Sequence, residues 1–553
     1  MNKFFLIGFG VFLSLLSFFN KAKTTTVNAS PIALNAKSVW VDSVYNNMTL
    51  KEKVGQLFMV AAYSNREAKH IDSIQQLIAD YGIGGLIFFQ GGPVRQANLT
   101  NRYQALAKVP LLVGIDAEWG LNMRLDSTSR YPYNMTLGAI QDETIIESIG
   151  QQIGKNCKRL GIHLNFAPVV DINTNPNNPI IGVRSFGEQK NNVTQKALAF
   201  TKGIQSEGVL ACAKHFPGHG DTDVDSHLAL PTVNFSKKRI DSVELYPYKK
   251  LFKKGIAGVM VAHLNVPALE GQKSLPSSLS YNIVTSILKE QLKYEGLVFT
   301  DALNMKGAAN FKAPGDIDLA AFLAGNDVLL FTENAPKAIA KIIEAYKSKL
   351  IDEKRLAHSV KKILSAKYDV GLYDYKPIKI EGIIKNLNSE SSIELYGKAI
   401  DHAITLIQNK TKNTFNGDFE DKIAYLSLGD GNGEMFRKSL SETIEVEEIS
   451  GRNIQQILKK IKPYKTIIIA YHRKNSRLVN DISKTDKQMI ESISKTKNVI
   501  LDVFASQYCL KQVNLEHVES LIVSYENTEI SQQISADIIL GKRKAKGRLA
   551  ASI

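Results

Sequence analysis

The sequence predicts an α/β protein in which an N-terminal (β/α)8 barrel of the TIM type is followed by a smaller α/β sandwich domain. Eight short apolar runs recur between residues 54 and 331, and segments with helical periodicity separate them. This alternation is typical of parallel βα units, and eight such units in a stretch of this length fit a barrel. An open doubly wound sheet is the alternative. We place the barrel domain at residues 38–378 and the sandwich at residues 390–553.

Residues 1–29 have the pattern of an export signal. Lys3 precedes the apolar run FFLIGFGVFLSLLSFF, and the polar stretch NKAKTTTVNAS follows it. This pattern predicts a cleaved signal peptide and a periplasmic or secreted protein, with an uncleaved membrane anchor as the alternative. No later segment reaches the roughly twenty apolar residues that span a bilayer, so we expect no stable membrane span in the mature chain.

The hydrophobic content, the cysteine count and the net charge exclude several classes of protein. A hydrophobic content of 44% is enough to build packed cores, which excludes a chain that is disordered throughout. The three cysteines are an odd number at unrelated spacings and encode no disulfide framework. The net charge of +15 could attract nucleic acid or anionic polymers, but the basic residues are scattered apart from GKRKAKGR near the C-terminus. We therefore expect solubilising lysines and no nucleic-acid partner, while the oligomeric state stays unknown.

The eight apolar runs are the expected barrel strands. The segments between them include ETIIESIGQQIGKNCKRLG and VTQKALAFTKGIQSEG, which carry apolar residues at helical spacing and close on glycine. In chain order the runs are VGQLFMVAA, IGGLIFF, PLLVGID, LNFAPVVD, VLACAKHF, GVMVAHL, GLVFTDA and DVLLF.

Several of these runs end on a polar side chain. Barrel active sites are assembled at the C-terminal ends of the strands and in the loops that follow them. A purely structural barrel has no need of such endings, although any single one could be a turn residue. The residues at these positions are Asp116, Asp171, Lys214 with His215, His263 and Asp301.

A second region follows residue 380. Its first segment, ELYGKAIDHAITLIQNK, has helical periodicity. Strand-like runs interleaved with further helical stretches then predict the smaller α/β sandwich. The runs are KIAYLSLGD, YKTIIIAYH, NVILDVFAS and VESLIVSYE.

The stretch KHFPGHGDTDVDSH, residues 214–227, holds three histidines and three aspartates. It could be a metal site, a catalytic loop or a solvated polar turn. A metal site is disfavoured because His215 and His219, which are four residues apart, have Pro217 and Gly218 between them and so cannot lie on a helix as the histidines of a zinc motif do. We therefore expect no metal and no cofactor.

The catalytic interpretation of this loop rests on Asp225 and His227. Two residues apart on a glycine-containing loop, they can hydrogen-bond so that the carboxylate orients the imidazole and stabilises its protonated form. A histidine that titrates near neutral pH can both give and take a proton. Asp301, delivered by a buried strand, can serve as a nucleophile or stabilise positive charge, and a helix N-cap is its alternative role.

These motifs together resemble glycoside hydrolase family 3, and in particular its bacterial β-N-acetylglucosaminidase (β-N-acetylhexosaminidase) branch. The resemblance is strong over residues 40–375 and weaker over residues 390–553. The motifs that carry it are the loop above with TDALNM, MTLKEKVGQLFMV, NFAPVVDIN, IGVRSFG, LPSSLS and, in the second region, SLIVSYENTEISQQISADIILGK.

The resemblance implies a role for each matching residue. Asp301 would be the nucleophile, His227 the acid/base and Asp225 its orienting partner, so that two displacements at one carbon give retention of configuration. The side chains that would bind the sugar are Asp116, Arg124, Arg184, Lys214 and His215. One departure lies in DAEWGLNMR, where the family usually has Asp-x-Glu-Gly-Gly-Arg-Val, so that Trp119, Leu121 and Asn122 are expected to alter the wall of the sugar site.

The expected function is therefore exo-acting removal of terminal β-linked N-acetylglucosamine from cell-wall fragments, muropeptides or related small glycans, as in peptidoglycan turnover. Two enzyme alternatives remain open: a family member specific for another β-sugar, and a phosphorylase in which phosphate replaces water. A sugar-binding protein with a decayed site is the alternative outside enzymes.

Overall fold

The structure is a computed structural model that describes residues 31–225, 229–411, 422–451, 453–474 and 481–553. The predicted signal peptide lies outside these ranges, and so does His227. Within them, no helix is both long enough and apolar enough to cross a bilayer.

The predicted barrel is confirmed. Its eight strands are parallel and lie in the order β7-β6-β5-β4-β3-β2-β1-β8. Each of the eight apolar runs supplies one strand, although some of the strands are only two residues long. Their bounds are β1 Phe58–Tyr63, β2 Gly85–Gln90, β3 Leu112–Ile115, β4 Leu164–Asn165, β5 Leu210–Phe216, β6 Gly258–Val261, β7 Leu297–Thr300 and β8 Leu329–Leu330.

Backbone hydrogen bonds between β7 and β8 close the sheet. Thr300 N donates to Val328 O at 3.1 Å, and Val328 N donates to Val298 O at 3.0 Å. Since β8 also pairs with β1, the sheet joins its own first strand. This closure excludes the alternative of an open doubly wound sheet.

Aromatic rings fill the barrel interior. Phe166 and Phe299, both fully buried, meet edge to face with ring centroids 5.3 Å apart. Gly114 on β3 leaves space for them, because a Cβ atom there would lie 2.9 Å from the Phe166 ring. The interior is therefore a packed core, and a ligand can enter only at an end of the barrel.

Helices surround the barrel and continue into the second region. Both long helical segments predicted between barrel strands are present as α6 and α7. The helices are α1 Pro31–Asn46, α2 Leu50–Gly55, α3 Ala68–Tyr81, α4 Pro93–Leu106, α5 Asn134–Gly138, α6 Glu143–Arg159, α7 Lys190–Ser206, α8 Lys237–Ser242, α9 Tyr246–Phe252, α10 Lys306–Ala309, α11 Asp316–Ala324, α12 Ala335–Lys347, α13 Glu353–Asp369, α14 Ile383–Leu387, α15 Glu390–Ala403, α16 Glu434–Ser441, α17 Ile454–Lys460, α18 Lys484–Ser494 and α19 Glu529–Ile539, with a π-helix at Asn282–Gln291.

A buried cluster of charged side chains stabilises the base of the barrel, where the sheet closes. The Asp327 carboxylate accepts hydrogen bonds from Lys362 Nζ at 2.7 Å and from the backbone N–H of Val298 at 3.1 Å. Lys289 Nζ lies 3.2 Å from the same carboxylate. Burial alone would raise the pKa of Asp327, but the two ammonium groups outweigh burial and hold the pKa below its ordinary value. The carboxylate is therefore ionised and links β7, β8 and α13.

The second region is a mainly parallel six-stranded sheet with helices around it, which confirms the predicted sandwich. Its strand order is β11-β10-β12-β13-β14-β9, and β9 alone of these strands runs antiparallel to its neighbour. The boundaries of the two domains stay predictions. The strands are β9 Thr405–Asn409, β10 Ile423–Gly429, β11 Val446–Glu448, β12 Thr466–His472, β13 Asn498–Phe504 and β14 Ser520–Val523.

The prediction of one long helix at the start of the second region was wrong. Helix α15 ends at Ala403, and residues 405–409 form β9, which pairs with β14. The sequence TLIQN has two β-branched residues, which suit a strand, and tertiary pairing with β14 decides the outcome over helical periodicity. Strand β11 was also missed, because its sequence VEE has no apolar run.

The core of the second region contains a protonatable carboxyl group. Asp502 on β13 is fully buried, and it accepts hydrogen bonds from Ser524 Oγ at 2.8 Å and Ser535 Oγ at 2.5 Å. Burial outweighs these hydrogen bonds and raises the pKa of Asp502 to about 7. The folded protein therefore holds a proton that the unfolded chain releases near pH 4.

We expect the stability of the second region to fall as the pH rises from about 4 to about 8. In this range the unfolded chain loses the Asp502 proton while the folded chain keeps it, which costs about 4 kcal/mol above pH 7. Asp502→Asn, which mimics the neutral form, should remove most of this dependence and unfold at higher denaturant concentration than wild type at about pH 8. Exposed Asp374→Asn is the control. An equal pH dependence in wild type and Asp502→Asn contradicts the expectation.

Candidate active site

A cavity of 570 Å³ opens at the C-terminal ends of the barrel strands. Four of the six residues that the sequence places at strand ends line it, as the geometry of a parallel barrel requires, while Asp171 contacts the lining residue His215 and His263 contacts the lining residue Ala302. All five predicted sugar-binding residues and Asp301 line it. Its polar lining is Asp116, Glu118, Arg124, Arg184, Lys214, His215, His219, Asp301, Asn304 and Lys306.

Asp116 follows β3 and is held by two cations. Lys214 Nζ donates to its Oδ1 at 2.7 Å, and Arg124 Nη2 donates to its Oδ2 at 2.5 Å. Burial would raise the pKa of Asp116, but these two positive charges outweigh it and lower the pKa to about 2. The carboxylate is therefore permanently ionised and fixes the directions of both basic side chains.

Glu118 is the functional candidate that the sequence analysis missed. It is fully buried, and the Arg184 guanidinium donates to both of its oxygens, at 2.7 and 3.0 Å. Lys214 Nζ lies 2.9 Å from the same carboxylate. Against the effect of burial, these cations hold the pKa of Glu118 well below its ordinary value. Only the fold brings Arg184 to this side chain, so the position of Glu118 in DAEWGLNMR was the sole available signal.

His215, at the end of β5, is oriented by a buried carboxylate. Its Nδ1 lies 2.7 Å from Asp171 Oδ2, and its Nε2 lies 3.2 Å from Arg184 Nη2. Because Arg184 can only donate, Nε2 accepts and the ring proton resides on Nδ1, where it is donated to Asp171. The sequence placed Asp171 at a strand end, and the structure gives it this orienting role.

Asp301 follows β7 at the floor of the cavity. Its backbone N–H donates to Val261 O at 2.8 Å, and its Oδ1 accepts the N–H of Ala302 at 2.8 Å. Burial alone would raise the pKa of this carboxyl group. The neighbouring His263, together with the Ala302 N–H and the Lys214 ammonium group, outweighs burial, so the pKa lies below its ordinary value. An ionised, desolvated carboxylate is suited to act as a nucleophile.

The loop that follows β5 supplies one residue to the described lining of the cavity. His219 lines the cavity, its N–H donates to Asp171 Oδ1 at 2.7 Å, and its ring Nδ1 lies 2.6 Å from Thr222 Oγ1. Asp221 Oδ1 accepts a hydrogen bond from Thr174 Oγ1 at 2.5 Å. The loop is therefore anchored to the segment after β4. His219 is thus a cavity residue to which the sequence alone assigns no role.

Of the predicted proton-transfer pair, the structure describes Asp225 and not His227. Asp225 is partly exposed, and its carbonyl accepts the N–H of Ala229 at 3.1 Å. His227 lies outside the described residues, so the pairing of Asp225 with His227 stays a prediction.

Aromatic side chains from β1, from β2 and from the position just after β8 form one wall of the cavity. The Phe89 ring meets Phe331 edge to face at 5.6 Å and lies 6.0 Å from Tyr63. The Arg124 guanidinium carbon lies 3.8 Å from the centroid of the Phe89 ring. This wall presents apolar faces of the kind on which pyranose rings pack.

The expectation that Trp119, Leu121 and Asn122 alter the wall was wrong. Trp119 is buried against Tyr133, with ring centroids 5.0 Å apart, and Leu121 is buried in the core. Asn122 donates its amide to Thr128 O at 3.1 Å. From this part of the chain, the described lining residues are instead Glu118, Met123 and Arg124, with Asp116 just before them.

A larger cavity, of 1100 Å³, lies at the opposite end of the barrel, between the ends of α6 and α7 and residues 369–381. Its Arg159 is already engaged by the carbonyl oxygens of Lys379 and Glu381, both at 2.7 Å. Its other charged lining residues are exposed to solvent, whereas Asp116, Glu118 and Lys214 of the smaller cavity are buried, so the smaller cavity is the candidate active site. Among the residues that the structure describes, no three His, Cys, Asp or Glu side chains form a group suited to a metal ion.

Three comparisons relate this chain to known proteins. The family model described as "Glycosyl hydrolase family 3 N terminal domain" matches residues 49–366, which confirms the family resemblance drawn from the motifs. The chain is similar to beta-hexosaminidase A of Pseudoalteromonas piscicida, with 35% identity over 326 residues, 53% of this chain and 54% of that protein. It thus spans about half the length of that relative. It is also similar to a beta-hexosaminidase of Neisseria meningitidis serogroup C, with 32% identity over 49% of this chain and 77% of that protein.

Among solved structures, one is described as a glycoside hydrolase family 3 beta-N-acetylglucosaminidase from Paenibacillus sp. It is similar to this chain with a TM-score of 0.76 and 30% identity, over 91% of this chain and 99% of that one. A beta-glucoside phosphorylase has a TM-score of 0.79 at 21% identity, which shows the shared fold alone.

Proposed function

Because the chain belongs to glycosyl hydrolase family 3, we propose that it is an exo-acting, retaining β-N-acetylglucosaminidase. The observation that carries this proposal is the placement of ionised Asp301 at the floor of a cavity ringed by Lys214, Arg124 and Arg184. The likeness to proteins named beta-hexosaminidase and beta-N-acetylglucosaminidase supports the choice of sugar.

The charged ring would bind the terminal sugar. Lys214, Arg124 and Arg184 are fixed by Asp116 and Glu118, so their remaining donors can form charge-assisted hydrogen bonds to hydroxyl and acetamido oxygens without losing much side-chain entropy. A cavity of 570 Å³ suits one such sugar with part of its leaving group.

Chemistry would proceed in two displacements. Asp301 attacks the anomeric carbon as the bond to the leaving oxygen breaks, and His227 transfers its proton to that oxygen. Water then attacks the glycosyl ester, His227 takes the proton from water, and the Asp301 carboxylate leaves. Asp225 would orient His227 and stabilise its protonated form. Both displacements invert the same carbon, so the product retains the β configuration.

The proposed setting is outside the cytoplasm. The export-signal pattern of residues 1–29 supports release to the periplasm or the medium, where terminal N-acetylglucosamine occurs on cell-wall fragments and muropeptides. A role in peptidoglycan turnover follows from that substrate class.

Hydrolysis of nitrophenyl N-acetyl-β-glucosaminide, compared with nitrophenyl β-glucoside, tests the substrate. We expect kcat/KM to favour the N-acetyl sugar by about a hundredfold or more, because a site built to bond the acetamido group leaves its own polar atoms unpaired with glucose. Each assay is run with and without phosphate. Cleavage of the glucoside alone contradicts the sugar specificity, and release of a sugar phosphate contradicts hydrolysis.

A further inference from the structure

The turn that carries Arg184 is connected to the second domain. Arg184 ends a short 3₁₀ turn that begins at Gly182, and its guanidinium holds Glu118 and His215 at one wall of the cavity. Two hydrogen-bonded routes and one apolar contact lead from this turn to residues beyond 500. The turn that carries Arg184 is therefore connected to residues far from the barrel strands.

The first route passes through Tyr508, which follows β13. Its hydroxyl accepts a hydrogen bond from Asn173 Nδ2 at 2.9 Å. Asn173 Oδ1 in turn accepts the N–H of Gly182 at 3.1 Å, and its own N–H donates to Gly187 O at 3.0 Å. Tyr508 and Asn173 are both buried, so these bonds are shielded from competition with water.

The second route passes through Glu526, which follows β14. This carboxylate, 1% exposed, accepts the N–H of Tyr133 at 2.7 Å and the guanidinium of Arg130 at 2.6 Å. The next residue along the barrel segment, Asn134, donates its amide to the carbonyl of Arg184 at 2.6 Å. Glu526 thus fixes the segment that contains Asn134, and Asn134 in turn holds the backbone carbonyl of Arg184.

An apolar contact completes the connection. Val183 packs in a buried cluster with Tyr508, Met135 and Ala550. The carbonyl of Ala550 also accepts the N–H of Glu188 at 3.1 Å. The chain near residue 550 therefore lies directly against the turn.

We propose that the second domain is a working part of the sugar site, in which Tyr508 and Glu526 are positioning residues that set Arg184 through Asn173 and Asn134. This inference rests on the proposed function, because it takes Arg184 as a ligand of the sugar. Its physical basis is that a partly buried guanidinium in a bidentate ion pair needs a fixed backbone, and small displacements of a positioned group weaken binding.

Tyr508→Phe in the full chain is the test. It removes one hydroxyl and leaves the ring in place, so we expect KM to rise roughly two- to tenfold with kcat changed less than about twofold. Tyr425→Phe is the matched control, because this buried hydroxyl lies 3.2 Å from His472 Nε2, entirely within the second domain. Its KM should equal that of wild type. Thermal unfolding checks that both variants fold.

A double-mutant cycle shows whether Tyr508 acts through Arg184. In an Arg184→Ala background, Tyr508→Phe should cause no further loss of kcat/KM, because the group it positions is absent. Glu526→Gln offers a second variant, with the same expected rise in KM. An unchanged KM in Tyr508→Phe, or an equal further loss in the Arg184→Ala background, overturns the inference.

The choice of substrate keeps this test separate from that of the proposed function. The kinetics are measured on whichever nitrophenyl glycoside wild type hydrolyses. Failure of wild type on the N-acetyl sugar counts against the proposed sugar specificity alone. If wild type hydrolyses the substrate and Tyr508→Phe has the same kinetics as wild type, the result counts against the positioning role alone.

Discussion

Replacing Asp301 by alanine should lower turnover by at least about a thousandfold and leave the fold intact. The loss is large because the proposed nucleophile forms the covalent bond, and the other carboxylates of the described cavity lining, Asp116 and Glu118, are each engaged by two basic side chains. The fold should survive because the backbone bond from Asp301 N to Val261 O, which holds the end of β7, does not involve the carboxylate. Turnover is measured on nitrophenyl N-acetyl-β-glucosaminide, with thermal unfolding as the check of the fold.

Added azide should restore part of the activity of Asp301→Ala. A small anion can occupy the space of the missing carboxylate and attack the anomeric carbon from the same face. The product would be the α-glycosyl azide, formed by one inversion, and NMR identifies its configuration. Activity close to that of wild type without azide, or a β-configured azide product, contradicts the nucleophile assignment.

The barrel was predictable because its strands are buried on both faces. Strands of this kind are continuous apolar runs, such as PLLVGID, and short runs of that type separated by helices have few alternative folds. The edge strand β9 was not predictable in the same way. Its sequence TLIQN continues the apolar periodicity of α15, and only the pairing with β14 makes it a strand.

The part of the candidate site that lies at strand ends was predictable from the sequence. Parallel strands carry their C-terminal residues to one end of the barrel, which is why Asp116, Lys214 and Asp301 meet although they are distant in sequence. No such rule predicts the role of Glu118. Its role depends on Arg184, sixty-six residues later, and that contact exists only in the folded chain.

Contacts between the two domains were the least predictable part. The bond between Asn173 and Tyr508 joins residues 335 positions apart, and although Asn173 ends the motif NFAPVVDIN, Tyr508 lies in none of the motifs. Each is an ordinary polar residue whose partner is chosen by how the second sheet docks. The sequence therefore indicates which side chains can do chemistry more readily than which side chains hold them in place.

His227→Ala should slow poor substrates far more than activated ones. A nitrophenolate leaves with little protonation, whereas the alkoxide of a sugar needs a proton from the acid, a contribution of about a hundredfold to ten-thousandfold. We therefore expect a small loss of kcat/KM on nitrophenyl N-acetyl-β-glucosaminide and a loss in that range on an N-acetylglucosamine disaccharide. Asp225→Asn should follow the same pattern with smaller losses, because it removes only the orienting partner.

His219 is the rival acid within the described part of the cavity, and the same pair of substrates distinguishes it from His227. Burial lowers the pKa of His219 to about 4, so its imidazole is almost wholly neutral at neutral pH and holds no proton of useful acidity. His219→Ala should therefore lower kcat/KM by a similar factor on both substrates. Selective loss on the disaccharide in His219→Ala, together with equal losses in His227→Ala, would transfer the acid role to His219, because only the group that protonates the leaving oxygen discriminates between leaving groups.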